Sequence, residues 1–192
     1  AICRLDMASG RVQRMVCLEA SPDPDSVSRP EKMVAHGAQG EVHGYLYRPH
    51  CPGVRGPEAG RSPLLLRAHG GPTAMRSPAW NPEVQFWTGH GVAVLEVNYG
   101  GSSGHGRHYR ERLRGNWGIT DLNDCICMAD AVAAEGLCDP GQMFIAGNSA
   151  GGLTVLNALR QTGRFRAGLC RWAVTDLARL ATLTHRFERG YL

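Results

Sequence analysis

Met143-Phe-Ile-Ala-Gly-Asn-Ser-Ala-Gly-Gly152 passes from a short apolar run into a helix-forming one, and its centre, Gly147-Asn-Ser-Ala-Gly, fits the pattern Gly-x-Ser-x-Gly. The apolar run reads as a buried strand. Ala150 to Gln161 reads as the helix after it, with Gly163 as its stop. Glycines on both sides let the backbone turn sharply, so the Ser149 hydroxyl projects above the sheet as a candidate nucleophile. The amides opening the helix point at the same spot and favour a developing negative charge. The competing reading is a Gly/Ser-rich strand-to-helix turn with no chemistry.

Upstream, Pro63-Leu-Leu-Leu-Arg-Ala-His reads as a second buried strand, broken by Gly70-Gly-Pro. Open α/β sheets place ligand sites at the carboxyl ends of such strands. In elbows of this kind one oxyanion donor follows the nucleophile, and the other comes from a glycine-rich turn after an earlier strand. The expected donors are therefore the N–H groups of Ala150 and Gly71. Between these strands the chain alternates further. A helix is expected over Glu83 to Thr88, a strand from Gly91 to Asn98, and a short helix around Arg107 to Leu113. A longer helix starts with Thr120 as its N-cap and ends at Gly136, and a last strand covers 167–174. Strands alternating with helices predict a mainly parallel α/β sheet over residues 63–174.

The start of the chain differs in texture. Residues 1–18 read as a β-hairpin turning at Ala8-Ser-Gly, and residues 19–32, with Pro22, Pro24 and Pro30, as a linker. Residues 33–47 read as a second hairpin, and 49–62 as a surface loop. Of 192 residues, 43% are hydrophobic and 20% charged, which excludes an intrinsically disordered chain. The charge of +4 comes from scattered arginines, with Lys32 the single lysine, so no basic stripe points to nucleic acid. Seven cysteines, an odd number without a Cys-x-x-Cys pair, suit a reducing compartment. No apolar run approaches the ~20 residues that cross a bilayer. The amino terminus lacks a signal-peptide layout, so a soluble cytoplasmic protein is expected. No metal site or cofactor is expected. The His105/His108 pair lacks a third ligand, and Gly104-His-Gly106 meets Tyr109 where a dinucleotide loop needs glycine.

The ordered series His69-Gly-Gly-Pro, Asn98-Tyr-Gly-Gly-Ser-Ser-Gly-His-Gly, Trp117-Gly-Ile-Thr-Asp-Leu-Asn-Asp, Asp139-Pro, Gly147-Asn-Ser-Ala-Gly-Gly and Val174-Thr-Asp-Leu resembles the prolyl oligopeptidase family of serine peptidases (peptidase family S9). The likeness is greatest to its acylaminoacyl-peptidase and dipeptidyl-aminopeptidase-like branch, and spans about residues 40–192. It implies an α/β-hydrolase fold, a peptide substrate, and Val174 in the lining of the substrate pocket. It also makes residues 1–32 the end of a β-propeller and a linker, and 33–192 the first part of the catalytic domain. Two positions depart from the family pattern: Gly100 stands where Arg is usual, and His105 where Tyr is frequent.

A serine nucleophile needs a histidine base oriented by a carboxylate, following it in the order Ser, Asp/Glu, His. After Ser149, only Asp176 and His185 fit that order. The resemblance places both in a segment preceding the family's true pair, so a helix cap and a surface imidazole are their expected roles. The chain is therefore expected to be truncated at Leu192, to expose its last strand as an apolar edge, and to hydrolyse nothing efficiently alone. Two other functions stay open. One is a hormone-sensitive-lipase-like carboxylesterase, disfavoured by Pro72 and Asn148. The other is a non-catalytic hydrolase-fold binding protein. A homo-oligomer stays open too.

Overall fold

Leu64 to Ala68 and Ala93 to Asn98 are buried at every position. A strand with no solvated face belongs in the middle of a sheet covered on both sides. The computed structural model, which describes residues 2–16, 23–54, 61–184 and 190, shows that arrangement. A hairpin of β1 (Ile2–Leu5) and β2 (Val12–Val16) forms a two-stranded sheet of its own. The remaining strands are β3 (Pro30–Gly37), β4 (Gly40–Tyr47), β5 (Leu64–Ala68), β6 (Ala93–Asn98), β7 (Met143–Asn148) and β8 (Ala167–Arg171). They make one six-stranded sheet in the order β3-β4-β6-β5-β7-β8. β6, β5, β7 and β8 run parallel, while β3 and β4 join as an antiparallel flank.

The helices follow the strands they connect: α1 (Pro82–Gly89), α2 (Gly106–Glu111), α3 (Thr120–Ala134), α4 (Ala150–Gln161) and α5 (Leu177–Leu183). Side chains alternate across a strand, so Leu64, Leu66 and Ala68 meet Met128, Val132, Val155 and Ala158 of α3 and α4 on one face. On the other face Val94 and Tyr47 meet Val84 of α1. That second face also carries charge. Arg67 and Glu96 are register partners on adjacent strands, 8% and 2% exposed. Arg67 donates to Glu96 at 3.1 Å and to Glu83 of α1 at 2.6 Å, and Arg76 lies 3.6 Å from Glu96. Burial pushes the Glu96 carboxyl up, and the guanidiniums of Arg76 and Arg67 pull it back.

Three details depart from expectation. β3 begins at Pro30, inside the expected linker, because Ser28 is tied down: its N–H donates to Gln85 at 2.8 Å and its hydroxyl to the Arg48 carbonyl at 2.6 Å. Thr120 lies inside α3 and does not cap it; Ile119 holds the cap position without a side-chain bond. Asp121, in the first turn, instead accepts from the Gly118 N–H just before the helix at 2.6 Å. The last strand stops at Arg171 and does not reach Val174, because Trp172 takes φ +50° and turns the chain out of the sheet. At Gly100, a Cβ would fall 2.7 Å from Thr120 Cγ2 and 3.1 Å from Arg112 Cβ, so those side chains already occupy the space of a larger residue. β8 is an edge strand, with Leu169 48% and Trp172 84% exposed. Among the described residues no helix is long and apolar enough to cross a membrane.

Removing one partner of the Arg67 network strands a buried charge. Arg67→Met in the full natural protein is expected to cost about 3 kcal/mol, and adding Glu96→Leu to recover most of it. Urea midpoints of the single and double variants measure this. Equal losses in both would show that the pair is not a closed unit.

Candidate active site

β5 and β7 are parallel neighbours with Ala68 opposite Gly147, so the turns leaving their carboxyl ends sit side by side. Ser149 follows β7 at φ 53°, ψ −119°, a conformation that L residues rarely adopt. Four backbone bonds hold it there. Its N–H donates to the Arg171 carbonyl at 3.0 Å, and its own carbonyl accepts from Gly152 at 3.0 Å, from Val174 at 3.2 Å and from Leu153 at 3.4 Å. Glycines make the approach of the chains feasible. A Cβ on Gly151 would overlap the carbonyl oxygens of Ala68 and His69. A Cβ on Gly70 would lie 2.8 Å from the Asn148 carbonyl oxygen and 3.2 Å from Ser149 Cβ.

The structure therefore brings the expected residues to one place. Ser149 is the N-cap of α4, and Ala150 is its first residue. Gly71 follows Gly70, which packs on Ser149 Cβ, and takes φ +52°. Val174 is bonded to the Ser149 carbonyl. Neither the Gly71 nor the Ala150 N–H has an acceptor among the described residues. Both are thus available to a ligand oxygen, and the positive end of α4 adds to the attraction.

Other residues hold this arrangement without taking part in it. His69 is 2% exposed, stacks on Tyr99 at 4.4 Å between ring centroids, and accepts the Tyr99 hydroxyl on its carbonyl at 2.7 Å. Burial pulls its imidazole pKa down to about 4, so the ring is neutral. Nδ1 faces the Gly70 carbonyl at 3.0 Å, and Nε2 lies 2.7 Å from the Ser102 hydroxyl, which itself donates to the Tyr99 carbonyl at 2.7 Å. A ring spent in this way positions the turn and cannot serve as a base. Asp121 accepts from Thr154 of α4 at 2.5 Å as well as from Gly118, and Asp124 accepts from the Gly100 N–H at 2.7 Å. Burial raises both carboxyls, and these bonds oppose the rise. The Trp117 to Asp124 stretch thus ties α3 to α4 and to the glycine-rich loop. Nothing local in that stretch of sequence signals this task, because its partners lie elsewhere in the chain.

No base reaches Ser149 among the described residues: its hydroxyl has no hydrogen-bond partner there. His105 stacks on His43, with centroids 4.2 Å apart and planes 2° apart. Asp176 caps α5, accepting from the Arg179 N–H at 2.9 Å, the bland role expected of it. His185 lies outside the described residues. Among the described residues no group of three or more His, Cys, Asp or Glu is placed to hold a metal ion.

With this geometry in hand, likeness to known proteins is informative. Residues 78–192 match the prolyl oligopeptidase family. A Mycobacterium tuberculosis puromycin-hydrolyzing peptidase of known structure is 40% identical with a TM-score of 0.91, covering 99% of this chain and 30% of that one. A crystal structure of puromycin hydrolase is 38% identical with a TM-score of 0.88, over 98% of this chain and 29% of that one. The rice (Oryza sativa subsp. japonica) acylamino-acid-releasing enzyme 1 is 32% identical over 123 residues, 64% of this chain. The chain spans 16–18% of the length of the first curated relatives it matches.

The neutral, buried His69 has a consequence for stability. The unfolded chain binds a proton on His69 below about pH 6.5, whereas the folded site refuses it until about pH 4. Stability from this residue is thus complete above the unfolded pKa and lost as pH falls through the folded one, about 3 kcal/mol in full. In His69→Phe, which keeps an aromatic ring on Tyr99, unfolding free energy should fall less between about pH 7 and 4 than in the unaltered protein. Parallel pH curves from denaturant titration would remove His69 as the cause.

Proposed function

We propose that this chain, which belongs to the prolyl oligopeptidase family of peptidases, carries the nucleophile and the oxyanion-binding amides of a serine peptidase that cleaves short peptides through an acyl-enzyme. The observation that carries the reading is the backbone of Ser149: a non-glycine residue at φ 53° between a strand and a helix, with Gly70 packed on its Cβ. A strained conformation held by four hydrogen bonds is retained where it aims a functional group.

The Ser149 hydroxyl attacks the scissile carbonyl carbon while a histidine from outside the described residues, oriented by a carboxylate, accepts its proton. The carbonyl oxygen becomes an oxyanion between the Gly71 and Ala150 N–H groups, at the positive end of α4. Losing one such donor costs ~3–4 kcal/mol of transition-state stabilisation. The amine leaves with the proton returned by the histidine, and water releases the acyl group by the reverse sequence. Val174, held against the Ser149 carbonyl, lines the pocket for the side chain next to the cleaved bond. Residues 33–192 form the first part of the hydrolase domain in this reading, and 1–32 the end of a preceding propeller and its linker. The separate β1–β2 sheet is compatible with that division.

Two measurements test the assignment on the full natural protein. A fluorophosphonate probe should label Ser149, identified by mass spectrometry of the labelled peptide. Ser149→Ala should abolish labelling and lower peptide turnover by roughly 10⁴-fold or more. An unlabelled serine in folded protein removes the catalytic reading and leaves a binding scaffold. Asp176→Ala, which deletes only the α5 cap, should cost about 1 kcal/mol of stability and leave labelling intact. Loss of labelling at unchanged stability would instead make Asp176 the carboxylate that orients the base.

A further inference from the structure

Beside the oxyanion turn lies a cleft of about 370 Å³ with an unusual charge. One wall is Pro72 and Thr73, the two residues after Gly71. The other is Arg110, Glu111 and Arg114, at the end of α2 and in the turn after it, with Trp117 beyond them. The walls are anchored on both sides. Ser103 donates to the Thr73 carbonyl at 2.5 Å and its N–H to the Ala74 carbonyl at 3.0 Å. Tyr109, 3% exposed, donates its hydroxyl to the Asn98 carbonyl at 2.5 Å, and its own carbonyl accepts from Gly101 at 3.0 Å. Leu113, 5% exposed, sits in the main core. These bonds anchor the two walls, and Gly190 also lines the cleft.

Its arginines differ from those that are held in ion pairs. Arg48, Arg67, Arg76, Arg164 and Arg171 each have a carboxylate within 4.0 Å. Arg110 and Arg114 are exposed and have none among the described residues, including from Glu111 between them. Among the described lining residues, two guanidiniums four positions apart in the chain stand against one carboxylate, a net positive charge. An indole and a proline ring at its ends offer apolar surface. A guanidinium binds a carboxylate through paired N–H donors better than it binds neutral groups.

We propose that this cleft is a specificity subsite, taking a carboxylate of the peptide substrate that Ser149 attacks and holding it between Arg110 and Arg114. The assignment rests on the peptidase reading above and deepens it. Peptides carrying a carboxylate that reaches the cleft are bound more tightly than isosteric neutral ones. The carboxylate belongs either to an acidic side chain near the scissile bond or to the carboxyl terminus of a short peptide.

The test uses the full natural protein and short peptides with Glu or Gln scanned through the positions flanking the cleaved bond, each as the free acid and as the terminal amide. The expected result is a kcat/KM about tenfold higher for one acidic member than for its neutral isostere, mostly through KM and shrinking with added salt. A Glu/Gln difference identifies a side-chain carboxylate, and an acid/amide difference the chain terminus. Arg110→Gln/Arg114→Gln should collapse that ratio. Arg114→Glu should invert it in favour of Lys-containing peptides, which no merely structural role of the arginine explains. Hydrolysis of the series with Glu and Gln, acid and amide, treated alike overturns the subsite and leaves the peptidase reading standing. Failure to hydrolyse any member, with Ser149 unlabelled by fluorophosphonate, overturns both.

Discussion

The candidate site depends on how closely two backbone turns approach at the carboxyl ends of β5 and β7. With Ala68 opposite Gly147 in a parallel ladder, the turn after one strand stands directly beside the turn after the other. Side chains at Gly70 or Gly151 would push them apart. Hydrogen bonds from Ser149 to Arg171 and from Val174 to Ser149 then bring the exit of β8 into the same junction. Three strand ends, whose relative heights are set by ladder hydrogen bonds, thus position one hydroxyl and two amides. Precision of this kind comes from rigid elements and not from the loops themselves.

Around the junction, buried polar groups act as fasteners. Arg67, Glu83 and Glu96 join α1 to the middle of the sheet, Asp121 joins α3 to α4, and His69 joins the turn after β5 to Ser102 and Tyr99. Each would cost free energy if left unpaired, so each is an all-or-none contact with a defined geometry. Apolar contacts tolerate sliding, whereas these do not. That distinction accounts for a strained Ser149 in a domain whose core is otherwise ordinary aliphatic packing.

Charge is distributed with the same economy. Within the sheet domain Arg67 and Arg76 stand against the buried carboxylate of Glu96, whereas Arg110 and Arg114 by Pro72 have no carboxylate within 4.0 Å among the described residues. The first group serves cohesion. The second remains exposed to solvent and to whatever enters from solvent. Their separation follows from placement: the first lies on the sheet face under α1, the second on a short helix anchored through Tyr109 and Leu113.

Much of the architecture was legible in the chain itself. The alternation of apolar runs with helical spacing placed β5, β6, β7, α3 and α4, because periodicity is local information. The Gly-x-Ser-x-Gly turn and His69-Gly-Gly-Pro marked the two turns that meet at Ser149, because a sharp turn at a strand end needs glycine wherever it occurs. Local signals failed where a distant partner decided the outcome. Ser28 entered the domain through Gln85, 57 residues away, and Thr120 lost its cap role to the packing under Gly100. The tasks of His69 and Asp121 rest on Ser102 and Thr154, each 33 positions along, and that of Arg67 on Glu96, 29 along. By itself the sequence determined an α/β sheet with a candidate nucleophile at a strand end. Only the tertiary structure decided which polar groups hold that nucleophile and which remain unpaired, because a hydrogen bond between strands and helices far apart in sequence leaves no periodic trace in either.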